Sequence, residues 1–259
     1  MNKSLKVIQP GEMIPGSTNR TDAWWKEPLM VVLVLGGFGI YATWAALQNK
    51  HYFAAPYLSP FYSPCIADNC AERTLPLIGK WWTLSPAFLI LWVPGGLRAT
   101  CYYYRKAYYR SFFGSPPGCA VKDVSKSYKG ESAFPFILQN IHRYFFWGSL
   151  VILAFLWWDV IHAFRFDGHF GVRVGSLVLT LNAALLSLFS MSCHACRHIS
   201  GGGLNVFSKA PARFGLWKFV TRLNENHQGY AWVSLFSVAL TDVYVRLLSM
   251  GFIKDIRII

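Results

Sequence analysis

Acidic residues are scarce in this chain: 12 Asp and Glu stand against 25 Lys and Arg in 259 residues, a formal net charge of +13, and charged residues make up only 14%. So thin a charged complement leaves too little to coat an ordinary soluble domain of this size. The first 25 residues are polar and carry Pro10, Gly11, Pro15 and Gly16. They lack a basic stretch leading into a short apolar core and a small-residue cleavage site, so no cleavable signal is expected. Internal repeats and low-complexity tracts are also missing, which removes support for a solenoid or a repeat-built transporter.

What the chain has instead is apolar surface: 54% of residues are hydrophobic and 17% aromatic. A bilayer core of about 30 Å needs roughly 20 mostly apolar helical residues. Five segments qualify, near 29–47, 86–103, 142–164, 172–191 and 230–250. The second is the weakest, because Pro94-Gly95-Gly96 would kink a helix or mark a close contact. The expected fold is therefore all-α, a polytopic membrane bundle of five transmembrane helices spanning 28–250.

Lys and Arg set the orientation. The N-terminal tail, 1–27, carries Lys3, Lys6, Arg20 and Lys26. The second connection, with a loop near 104–136, carries Arg105, Lys106, Arg110, Lys122, Lys126 and Lys129, flanked by Arg98 and Arg143. The fourth, near 199–228, adds Lys209, Arg213, Lys218 and Arg222, with Arg197 just before it. The first and third connections together hold only Lys50, Arg73, Lys80, Arg165 and Arg173. The positive-inside rule then places the N-terminus in the cytoplasm and the short tail 251–259 outside. The basic inner face suits anionic lipid or an acidic soluble partner. No nucleic acid is expected, because the charge follows membrane boundaries rather than a soluble module.

With that orientation, Cys101, Cys119, His142, the run Cys193 to His198 and His227 all fall at the inner end. That is four of the six cysteines and four of the seven histidines. Cys65 and Cys70 lie in the outer first connection, where a disulfide and a pair of free thiols both remain open. The densest group is Ser192-Cys193-His194-Ala195-Cys196-Arg197-His198. On a continuing helix, Cys193 and Cys196 would share one face and His194 and His198 another, displaced by roughly 100°. Buried structural cysteines and helix-capping histidines compete with metal ligation for each residue singly. Arg197 occupies the histidine place of a C-x-x-C-H haem attachment, which excludes that centre. Structural zinc stays open. A Rieske-type [2Fe–2S] centre takes two thiolates and two imidazoles, and Cys196-Arg197-His198 offers one C-x-H half.

Deeper toward the outer end lie Asp159 and His162 on the third span and Asp242 and Arg246 on the fifth. Ionisable groups in hydrocarbon are expected to pair, and Asp242 with Arg246 has the i, i+4 spacing to do so. His162 keeps a b-type haem ligand open as a rival.

Several stretches resemble a family: Thr100 to Arg110, Ser115 to Val121, Leu138 to Phe145, Cys193 to His198, Asn224 to His227 and Ala231 to Phe236. Together they resemble the membrane anchor of bacterial succinate dehydrogenase, respiratory complex II, in its single-subunit, five-helix class with a transmembrane Rieske-type cluster. The resemblance covers residues from about 85 to the end. It implies a heterotrimer in the inner (cytoplasmic) membrane, in which a flavoprotein oxidises succinate, an iron–sulfur subunit carries electrons and this chain passes them to menaquinone or ubiquinone. Soluble Rieske proteins carry a second box and a small β domain that this chain lacks, so other helices would supply the remaining ligands. The resemblance leads to His142 with His198 as imidazoles and Cys193 or Cys196 with Cys119 as thiolates, with His194, His227 and Cys101 in reserve. Quinone donors would come from Arg98, Tyr102, Arg105, Arg143 and Tyr144. The alternatives are a haem-b anchor or fumarate reductase subunit, and a non-redox membrane protein with structural zinc.

Overall fold

The computed structural model describes residues 14–66, 84–125, 132–134, 136–166 and 168–259. Four helices are long and apolar enough to cross a membrane: α1 (Lys26–Gln48), α4 (His142–His162), α5 (Val174–Met191) and α8 (His227–Ser249). A shorter apolar helix, α2 (Ala87–Ala99), falls where the second span is expected. At about 1.5 Å per residue its 13 residues rise only about 20 Å, less than the bilayer core. It stops because Cys101 is extended (φ −64°, ψ 132°) and starts a separate six-residue helix, α3 (Tyr102–Ala107). The expected single span 86–103 is therefore two elements. Pro94 sits within α2 without ending it. Gly96 marks the expected close contact, since a Cβ there would lie 2.2 Å from the Phe145 ring.

The chain forms two compact bodies. The first comprises residues 1–39 and 99–140. Within it, residues 14–25, just before α1, are held to the 119–122 segment. Gly16 N–H donates to the Lys122 carbonyl (3.2 Å), Lys122 N–H to Ser17 (3.0 Å) and the Thr18 hydroxyl to Ala120 (2.7 Å). Arg20 donates to the Cys119 carbonyl (2.8 Å) and pairs with Asp22, which raises the guanidinium pKa and lowers the carboxyl pKa.

The second body, 40–98 and 141–259, is the bundle. Helices α5 and α8 pack along one another, as do α4 and α5. Helix α4 runs away from the His142 end, α5 returns and α8 runs out again, so His142, Met191 and His227 share one end. Two helices bridge α5 and α8 there, α6 (His194–Gly201) and α7 (Pro211–Glu225). At the opposite end, hairpins β1–β2 (Phe53–Ala54, Tyr57–Leu58) and β3–β4 (Arg165–Phe166, His169–Phe170) cover a core of Tyr57, Val160, Ala163, Leu179, Ala183 and Val245. Leu181, Phe236, Leu240 and Val151 face outward, as a lipid-exposed surface requires.

The tail expected at 251–259 is fastened to this end. Asp255 accepts from Gly175 N–H at 3.0 Å, at the start of α5, and from the hydroxyls of Tyr57 and Tyr244. Burial and the neighbouring carboxylate raise the Tyr57 pKa. Glycine is needed at 175 because a Cβ would come within 2.4 Å of the Tyr57 ring. Gly175→Ala is expected to cost about 1–3 kcal/mol through overpacking, read as a lower thermal midpoint of the detergent-solubilised complex.

Asp242 and Arg246 pair as expected, with Arg246 Nε 2.6 Å from Asp242 Oδ2 and both side chains buried. Tyr41 (2.5 Å) and Ser59 donate hydroxyls to the same carboxylate. Arg246 also donates to the carbonyls of Ala45 (2.9 Å) and Lys50 (3.0 Å), so this pair ties α1 and its following loop to α8. Buried Asp159 accepts from Ser63 at 2.6 Å. Cys65 is disulfide-bonded and buried. Cys70 lies outside the described residues, and Cys101, Cys119, Cys193 and Cys196 are thiols rather than disulfides.

Candidate functional site at the His142 end of the bundle

The sequence suggested that the fourth span would continue through the Cys/His run. Instead, α5 closes at Met191 and α6 starts anew at His194. Local side chains explain the break. The Ser192 hydroxyl lies 3.0 Å from the Phe189 carbonyl and 2.7 Å from His227 Nδ1, and the Ser192 carbonyl accepts from Asn224 Nδ2 at 2.7 Å. Cys193 is extended and N-caps α6, its Sγ accepting from Ala195 N–H at 3.4 Å.

The break brings Cys193 inward. The residue is 2% exposed, and its sulfur lies 2.9 Å from His142 Nε2, at the first residue of α4. His142, His194 and His227 are within electrostatic reach of one another. His227 is buried, stacks on Phe189 (5.2 Å, 11°) and is oriented at Nδ1 by Ser192, the kind of contact that fixes a ligating imidazole. Among the described residues no three His, Cys, Asp or Glu side chains converge on a single point as ready-made ligands of one ion.

The other candidates divide by position. On α6, Cys196 lies on the face away from His194 and His198, and burial pushes its thiol pKa up. His194 and His198 are exposed and line an open cleft with Arg197, Gly201, Gly202 and Trp217. In the first body, Cys119 is exposed with Arg110 Nη2 3.9 Å from its sulfur, Cys101 is buried, and Arg105 stacks on Tyr102 (4.6 Å). Arg143 and Tyr144 are exposed on the first turn of α4, the guanidinium 5.4 Å from the ring.

Arg98 takes a different place. Its guanidinium sits 4.4 Å over the Phe189 ring and donates to the Ala231 carbonyl (3.0 Å) and Ser234 hydroxyl (2.9 Å). It lines a narrow, mainly apolar slot of about 40 Å³ with Leu97, Ser149, Leu153, Leu186 and Phe189. Ser149 is 6% exposed, and its hydroxyl has no hydrogen-bond partner among the described residues. Ser149 and Ser192 were not anticipated as site residues. One signal was readable: Ser149 follows His142 by seven residues, two helical turns along the same face.

A bundle of apolar helices with buried thiol and imidazole groups at one end defines a multi-pass membrane protein with candidate redox-centre ligands. Residues 26–251 match the actinobacterial succinate dehydrogenase subunit SdhC family, and the chain belongs to that family. It is thus a membrane-anchor subunit of succinate dehydrogenase, an oxidoreductase. Among solved structures, it is similar to a chain of the Mycobacterium smegmatis Sdh1 complex in the apo form, with 44% identity, a TM-score of 0.86 and coverage of 97% of this chain and 98% of that one. No curated protein matches it.

Proposed function

We propose that this chain carries electrons from the soluble iron–sulfur subunit of a succinate:quinone oxidoreductase to quinone within the cytoplasmic membrane, by way of a Rieske-type [2Fe–2S] centre. The observation that carries the reading is the part-buried contact between His142 and Cys193, 51 positions apart, at one end of a mainly apolar bundle. The donor set fits such a centre in kind, offering soft thiol and imidazole groups where a polar group is costly. His142 and Cys193 would hold it, with His227 as the second imidazole because it is buried, oriented by Ser192 and near His142. Cys196, the other thiol of the bundle, would give the second thiolate. A bound centre of this type accepts and releases one electron at a potential above that of all-cysteine clusters.

The residues of this chain perform the remaining tasks. Ser192 and Asn224 hold the α5–α6 break that turns Cys193 toward His142. Arg98 and Ser149 present polar groups at an apolar slot, the arrangement a quinone carbonyl requires. The slot has room for about one water molecule, so a head group enters only by widening it. Ser149→Ala is expected to raise the KM for quinone by about 3–10-fold, the size of one hydrogen bond, with succinate oxidation by an artificial acceptor unchanged. An unchanged quinone KM would remove the slot from the reading. Tyr102, Arg105, Arg143 and Tyr144 remain candidates for the head-group boundary or the partner subunit.

A further inference from the structure

We propose that the open cleft between α6 and α7 binds the phosphate group of an anionic phospholipid. His194, Arg197, His198 and Gly201 stand at positions i, i+3, i+4 and i+7 of α6, so they form one face. Trp217 of α7 makes the opposing wall, and the cleft measures about 260 Å³, the volume of about nine water molecules. Its floor is glycine for steric reasons. A Cβ on Gly201 would meet the Trp217 ring at 2.3 Å, and one on Gly202 would meet the His198 carbonyl at 2.4 Å.

Arg197 is oriented before any ligand arrives. Its Nε donates to Thr221 Oγ1 at 3.1 Å, and its guanidinium carbon lies 5.1 Å over the Trp217 ring. The two terminal nitrogens are thereby left to the cleft, as a planar fork flanked by two imidazoles. That donor set matches the several oxygens of a phosphate better than a single carboxylate. Arg213 braces the site by donating to the carbonyls of Ile199, Ser200 and Gly202.

Position separates a lipid phosphate from a free one. Helix α6 starts three residues after the α5 span ends, and α7 ends two residues before the α8 span begins. A cleft on so short a tether between two spans sits at head-group depth, where basic pockets bind anionic lipid heads. From 192 to 226 the chain has five Lys and Arg against one Glu.

The test is native mass spectrometry of the intact complex, titrated with phosphatidylglycerol or phosphatidylcholine, for the parent, Arg197→Lys and Arg197→Gln. The expected result is retention of phosphatidylglycerol over phosphatidylcholine, weakened about fivefold in Arg197→Gln and partly restored in Arg197→Lys. The assembled complex and its thermal midpoint should remain unchanged. Equal retention of both lipids, or unchanged retention in Arg197→Gln, would overturn the proposal. Displacement of the lipid by millimolar inorganic phosphate would point to a free-anion site and overturn the lipid assignment. A His198→Gln variant separates this role from metal ligation: the proposal expects weaker lipid retention with the low-temperature EPR signal of the reduced complex intact. Loss of that signal would give His198 to the redox centre instead.

Discussion

His142→Ala, in the assembled complex, is expected to lower succinate-dependent quinone reduction by about 100-fold or more, while succinate oxidation with an artificial acceptor at the flavin continues. The imidazole is intermediate in exposure, and its Nε2 lies 2.9 Å from the sulfur of Cys193, a residue only 2% exposed. Contacts that merely orient a ligand typically cost 10–100-fold when removed, so a ligand itself belongs at or beyond the upper end. Cys193→Ser should give the same split between the two assays. Ser192→Ala, which acts by holding the chain break and the His227 ring, should fall between the parent and these variants. If both activities fall together in His142→Ala, the residue serves assembly and not electron transfer; steady-state quinone and dye assays on the same preparation decide it.

Asp242→Asn is expected to have the largest effect on stability. Arg246 is 3% exposed, and Asp242 is the carboxylate it pairs with at 2.6 Å. Removing one member of a buried pair costs about 3–5 kcal/mol, because the remaining charge is stranded in a medium that solvates it poorly. Replacing both members by apolar residues is often neutral elsewhere. Here Asp242→Leu with Arg246→Met should recover only part, since the hydroxyls of Tyr41 and Ser59 and the carbonyls of Ala45 and Lys50 would also lose their partners. Thermal inactivation of the solubilised complex measures the difference. A change within about 0.5 kcal/mol for Asp242→Asn, the range of ordinary surface substitutions, would contradict this account of the pair.

The long spans were readable because apolar length is a property of the chain itself, and α1, α4, α5 and α8 fall within a few residues of the expected segments. The Asp242–Arg246 pair was readable for the same local reason, four residues along one helix. The second span was read too long, because hydropathy does not register that the backbone turns extended at Cys101. The redox end was readable as a neighbourhood and not as a geometry. A continuous helix through residues 193–198 put Cys193 and Cys196 on one face; the break depends on Ser192, Asn224 and His227, which meet only after α7 and α8 have packed. The burial of His227 and its contact with Ser192 likewise arise only from that packing. Nor does periodicity reveal that buried Ser149 would keep an unsatisfied hydroxyl beside Arg98.

Low-temperature EPR of the reduced, purified complex, comparing the parent with His142→Ala and Cys193→Ser, tests the central claim most directly. The account predicts a Rieske-type signal in the parent that disappears in both variants while the signals of the soluble iron–sulfur subunit persist. A metal-replete parent without that signal, or variants that keep it, would contradict the account; an intense visible haem band in its place would transfer electron carriage to haem b.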